Sequence, residues 1–201
     1  MSYALAIGNK LIRDILSPKA DDIDVSELWP RLGVARRFSN NPAALTVLEH
    51  VHLVALLAEK HGMPEEIVRW CLHHDDHEAI ITDIPGPLKS LIGEHTHILR
   101  VVEERLDSAI CKARSMVEPT DAQRRIVHVF DKMAESIEWQ FVLDYTAEPW
   151  NLPIPWRKSE VDKMLNEARV RAERALFPKI KKEKPPVEDD LDDAGDDLDE
   201  N

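Results

Sequence analysis

The chain has 201 residues, 43% of them hydrophobic, enough to bury one sizeable core and closer to one domain than to two. Its net charge of −12 is unevenly spread, because nine acids and no Lys or Arg fall in 185–201, which leaves −3 on the remainder. Without a basic stripe, an aromatic platform, a run of roughly 18 apolar residues or a leader-like N-terminus, the sequence argues against nucleic-acid polymers and membranes as partners, and for a soluble cytoplasmic protein.

Taken in chain order, the pattern is helical. "TVLEHVHLVALLAEKHG" (46–62) places apolar residues at 47, 48, 51, 54, 55, 57 and 58 and ends on a glycine suited to a helix C-terminus. "MPEEIVRWCLHHDDHEAI" (63–80) opens with Pro64 and two acids, both helix-start signals, and predicts a second helix through 80. A third is predicted from about 87 or 89 to 116, on the apolar series 91, 92, 98, 99, 102, 106 and 110. A fourth begins at a Thr120/Gln123 capping box and runs to about 145. After the Pro- and Trp-rich "AEPWNLPIPW", Ser159 is expected to cap a last helix to Phe177. No run alternates with period two for long enough to suggest a sheet. The expected fold is therefore all-α: one domain over 1–178, then a charged tail over 179–201 that cannot bury enough surface to order itself. Cys71 and Cys111 lack the spacing of a metal or redox pair and read as small buried hydrophobes.

Polar chemistry concentrates in "WCLHHDDHEAIITDIPGPLKS" (70–90). His74 and Glu78, four apart, share one helix face, and Asp75 projects about 100° round from His74. Further ligands for a metal would have to come from other helices. His50 is the first candidate, since Val47, Val54 and Leu57 put it on a buried stripe. Asp131, on a face with Val127 and Ala134, is the second, because a buried lone carboxylate is costly unless paired or ligated.

In the order His50, His74–Asp75, Asp131, each step on a separate predicted helix, the chain resembles the HD-domain metal-dependent phosphohydrolases. The local matches resemble the YfbR-like 5′-deoxynucleotidases and related phage deoxynucleotide phosphohydrolases: "RRF" ahead of "LEHVHLVA", then "HDDHEAIITDIPGPLK" against HDxxExxxGDxPxPxK, then "VFD". The resemblance covers roughly 20–145 and implies a compact helical bundle and a homo-oligomer. It implies His50, His74, Asp75 and Asp131 as metal ligands, Glu78 and Asp83 as catalytic acids, and Arg37 as a phosphate-binding residue, with Lys89 matching the lysine that closes the loop motif. Phe38 matches the aromatic after the arginine and offers an apolar surface to sugar or base, while His128 stands where the family commonly has Lys. Thr82 replaces the usual Gly before Asp83, and Gly86 falls where the family has Thr or Arg between the prolines. His73, Asp76 and His77 are expected to be spectators, and His52, His95 and His97 are left outside the site.

The residue types suit the chemistry. A phosphate ester repels nucleophiles by its own charge, so a divalent ion must bind a phosphoryl oxygen and polarise water. Two imidazoles and two carboxylates suit Co, Mn, Zn or Fe without choosing among them. Arg37 offers a planar fork to phosphate, Lys89 a point charge, and Glu78 a proton carrier. The resemblance implies a deoxynucleoside 5′-monophosphate as the substrate. A dNTP losing triphosphate, or a non-catalytic nucleotide-binding regulator, stays open.

Overall fold

The computed structural model describes residues 4–145 and 153–178. The tail expected over 179–201 and part of the 147–156 loop lie outside the described residues. Apart from one small hairpin, the architecture is all-α. No described helix is long and apolar enough to cross a membrane.

Three N-terminal features lie outside the predicted elements. Strands β1 (Leu5–Ile7) and β2 (Lys10–Ile12) pair antiparallel across a turn at Gly8. Three residues are too few for an alternation to register, yet Ile7 and Ile12 are fully buried. Gly8 has φ 55°, and a Cβ there would meet Glu27 Cγ at 2.4 Å, so the turn needs glycine. Helix α1 (Val25–Leu32) buries Leu28 and Leu32 and carries Pro30 inside it. The single turn α2 (Arg37–Asn40) has Phe38, Ser39 and Asn40 at positive φ.

Helix α3 (Val47–Lys60) is the axis of the fold. Thr46 and Glu49 close a capping box at its start, with bonds of 3.2 and 2.8 Å. Eleven of its fourteen residues are buried, the pattern of a helix surrounded by others. Past its end Gly62 takes φ 68°, as the glycine there predicts. One side of α3 (Leu53, Val54, Leu57) packs with Ile67, Trp70, Val127, Phe130, Val161 and Leu165. Its first turns (Val47, Leu48, Val51) pack with Leu28, Leu32, Leu106, Ile7 and Ile12. Each leucine so buried contributes roughly 2 kcal/mol. His50, fully buried, falls in the sequence between the residues that join these two clusters.

The remaining helices correct four expectations. The helix expected over 63–80 is two, α4 (Glu65–His73) and α5 (Glu78–Ile81), with a turn between. In that turn the backbone bonds run to the third residue back, Glu78 N–H to Asp75 C=O at 2.9 Å and Ala79 N–H to Asp76 C=O at 3.2 Å. The Cys71 carbonyl, which Asp75 N–H would otherwise use, accepts instead from His74 Nδ1 at 2.8 Å. The helix expected over 87–116 is also two, α6 (Gly86–His95) and α7 (Ile98–Ala113). Helix α8 (Asp121–Ile137) starts at the Thr120/Gln123 box as expected and continues as a π turn over Glu138–Val142, short of 145. Helix α9 (Lys158–Leu176) is capped at Arg157, whose N–H bonds Glu160, and not at Ser159. Helices α4, α8 and α9 all pack on α3.

Candidate metal centre

Four side chains from three places in the chain meet at α3. Nε2 of His50 lies 3.2 Å from Asp131 Oδ1 and 3.8 Å from Asp75 Oδ2. Nε2 of His74 lies 3.3 Å from Asp75 Oδ2 and 3.9 Å from Asp131 Oδ1. Each ring has its other nitrogen committed: Nδ1 of His74 donates to the Cys71 carbonyl, and Nδ1 of His50 lies 2.5 Å from Glu138 Oε1. A donating Nδ1 leaves the Nε2 lone pair for a metal, the arrangement metal-bound histidines use. Nε2 of His74 is buried with no hydrogen-bond partner. Ligand atoms of His50, His74 and Asp75 all fall within 4.8 Å of one another. Two ring nitrogens, one of them orphaned, and two carboxylates fit a divalent transition metal.

Without an ion, the charges favour a proton in its place. Burial pulls the His74 ring down, but Asp75 and Asp131 outweigh it and push its pKa up to about 9. At His50, burial and Arg37 oppose the charged ring, and Glu138 and Asp131 win. Burial would raise Asp75, yet His74 and His50 hold it below the usual carboxylate range. Asp131 is held well below that range by His50 and His74, against burial. The carboxylates thus want a positive partner between them.

Arg37 belongs to this centre. Its guanidinium reaches Asp75 at 3.5 Å and Glu138 at 3.3 Å, while neighbouring Arg36 bonds the Ala44 carbonyl at 2.6 Å. Phe38 lies with its ring 5.7 Å from that guanidinium and 5.9 Å from Trp139. Glu78 is buried, not aligned with His74 on a helix face but turned in by the 74–77 turn, and Lys89 Nζ lies 3.4 Å from its Oε1. Burial and then Asp75 push the Glu78 carboxyl up to about 7. Asp83 is raised too, by burial and Asp75 against Arg37 and Lys89. It follows Thr82, whose φ 65° and ψ 164° are a glycine conformation, the residue type the resembled loop carries there.

His128 is exposed, with Nδ1 3.7 Å from Asp131 Oδ2. It borders a cavity of about 260 Å³ that opens from His74, Asp75 and Asp131 between apolar Trp70, Met116 and Val127. Arg114 and Arg124 line the same cavity.

Three expectations change. Asp76 is no spectator: it is 1% exposed and binds Arg114 at 2.8 Å and His73 at 2.9 Å. His77 is buried against Asp107 at 2.9 Å, and His52, expected at the surface or behind the ligands, is buried near Trp29. The residue sequence reasoning missed is Glu138. The signal was present, because Glu138 is seven positions after Asp131, two helical turns along the same face.

No protein-family model matches the chain, and no curated protein matches it.

Proposed function

We propose that the chain is a divalent-metal-dependent phosphohydrolase of the HD-domain kind, cleaving the 5′ phosphate ester of a deoxynucleotide. The observation that supports this most is the convergence of His50, His74, Asp75 and Asp131, with both Nε2 atoms turned to the two carboxylates. The resemblance of the 74–89 run adds the substrate class. A divalent ion in that set supplies Lewis acidity toward a phosphoryl oxygen and makes a water acidic enough to attack at neutral pH.

The chain's own residues do the rest. Glu78, raised to about 7, takes up or returns a proton at its carboxylate near neutral pH. Arg37, held between Asp75 and Glu138, presents a fixed cation for phosphate oxygens. The cavity beside the ligands accepts the remainder of the nucleotide against Trp70 and Met116. A second reading, release of triphosphate from a dNTP, draws on Arg114, Arg124 and His128 along that cavity, which suit a longer phosphate chain. A nucleotide substrate is in keeping with a cytoplasmic location.

The test is a panel of dNMPs, NMPs and dNTPs with Mn, Co, Zn or Fe, scored for phosphate, pyrophosphate and triphosphate. Phosphate from dNMPs supports the first reading and triphosphate from dNTPs the second. Nucleotide binding without release of any phosphate species would sink both and leave a regulator.

A further inference from the structure

We propose that the chain holds a second divalent cation, in a site formed by Asp75, His77, Glu78 and Glu103. The inference deepens the metal-site reading above and rests on it. His77, in the turn between α4 and α5, has Nδ1 donating to Asp107 Oδ1 at 2.9 Å. That bond fixes the ring as it would for a metal ligand and leaves Nε2 free. Nε2 is buried without a hydrogen-bond partner, and Glu103 Oε1 at 3.8 Å is too far to be one. Glu78 repeats the pattern: Oε1 takes Lys89, while Oε2 is buried with no partner. His77 is 7% exposed and Glu78 4%.

The geometry suits an ion. Donor atoms of Asp75, His77 and Glu78 lie within 4.8 Å of one another. Ligand bonds of roughly 2.0–2.2 Å allow donor pairs about 4 Å apart, so the group closes round an ion with small shifts. One imidazole with three carboxylates suits Mn, Fe, Zn or Mg. Asp75 also belongs to the first group, with His50 and His74, so it would bridge two ions as carboxylates do in two-metal phosphoryl-transfer sites.

The simpler alternative is a protonated His77 between Asp107 and Glu103, with Lys89 neutralising the rest. It leaves an Nε2–H without an acceptor in range and a carboxylate oxygen without a donor, side by side and buried. A cation fills both, and while it is bound Glu78 serves as its ligand in place of the proton-carrying role given it above. It also displaces Lys89, now 3.4 Å from Glu78 and 3.1 Å from Glu103, and frees that ammonium for a phosphate oxygen.

The test uses the full chain, stripped by chelation and equilibrated with Mn²⁺, with bound metal counted after desalting and the electron paramagnetic resonance spectrum recorded. Two Mn per chain with an exchange-coupled spectrum are expected, and His77→Gln should reduce this to one Mn with an uncoupled spectrum. Lys89→Met, which removes the competing ammonium, should tighten the second ion by roughly tenfold and serves if His77→Gln does not fold. One uncoupled Mn in the unaltered chain overturns the second site and leaves the phosphohydrolase reading standing. Two ions indifferent to both variants place the second elsewhere and overturn it. No bound Mn overturns both readings.

Discussion

Glu138 holds His50 by its far nitrogen: Oε1 lies 2.5 Å from Nδ1, and neither side chain is exposed at all. The other oxygen faces Arg37 Nε at 3.3 Å, so one buried carboxylate orients both a ligand and the cation beside it. Glu138→Gln keeps the shape and loses the charge. We expect metal affinity to fall by about 10–100-fold, as is usual for the partner of a ligating histidine. A Co²⁺ titration checks this, and unchanged affinity would reduce Glu138 to packing.

Asp76, between Arg114 and His73, is a second buried charge whose removal should be felt globally. Asp76→Ala leaves Arg114 buried without its carboxylate, a change that costs about 3–5 kcal/mol. Urea denaturation should show that loss. A variant as stable as the parent would mean Arg114 finds another partner.

How much of this was legible depends on the range of the interaction. The apolar stripe of α3 and the two capping boxes at Thr46 and Thr120 are local, and of these the stripe and the Thr120 box were read directly. The break at 74–77 was not, because it depends on His74 taking the Cys71 carbonyl, a choice no hydrophobic period records. Glu138 did carry a signal, its spacing from Asp131, but that spacing gains its meaning only when the chain just past α8 meets α3. The hairpin at 5–12 failed for a different reason, its strands being shorter than any pattern. His50 and Asp131 were legible because a polar residue on an apolar face must have a partner.

Thr82 holds a backbone conformation, φ 65° and ψ 164°, that glycine adopts freely and threonine does not. Strain of this kind costs about 1–3 kcal/mol. Thr82→Gly should therefore raise the melting temperature by a few degrees despite glycine's greater freedom when unfolded. A lower melting temperature would show that the threonine side chain contributes more than the strain costs.

Burial pushes the Cys71 thiol up to about 12 and the Cys111 thiol up to about 11. Below those values each stays protonated, and only the thiolate reacts. At pH 8 iodoacetamide should label neither in the folded chain over a time that labels both in urea. Fast labelling of Cys111 in the native state would show that the wall it shares with the cavity opens.

The most direct measurement is phosphate release from deoxynucleotides by the full chain before chelation, after exhaustive chelation, and after Mn²⁺ or Co²⁺ is returned, with Asp75→Ala in parallel. The account predicts activity that disappears with the metal, returns with it, and never arises in Asp75→Ala. Hydrolysis that survives chelation, or that Asp75→Ala retains, would contradict it.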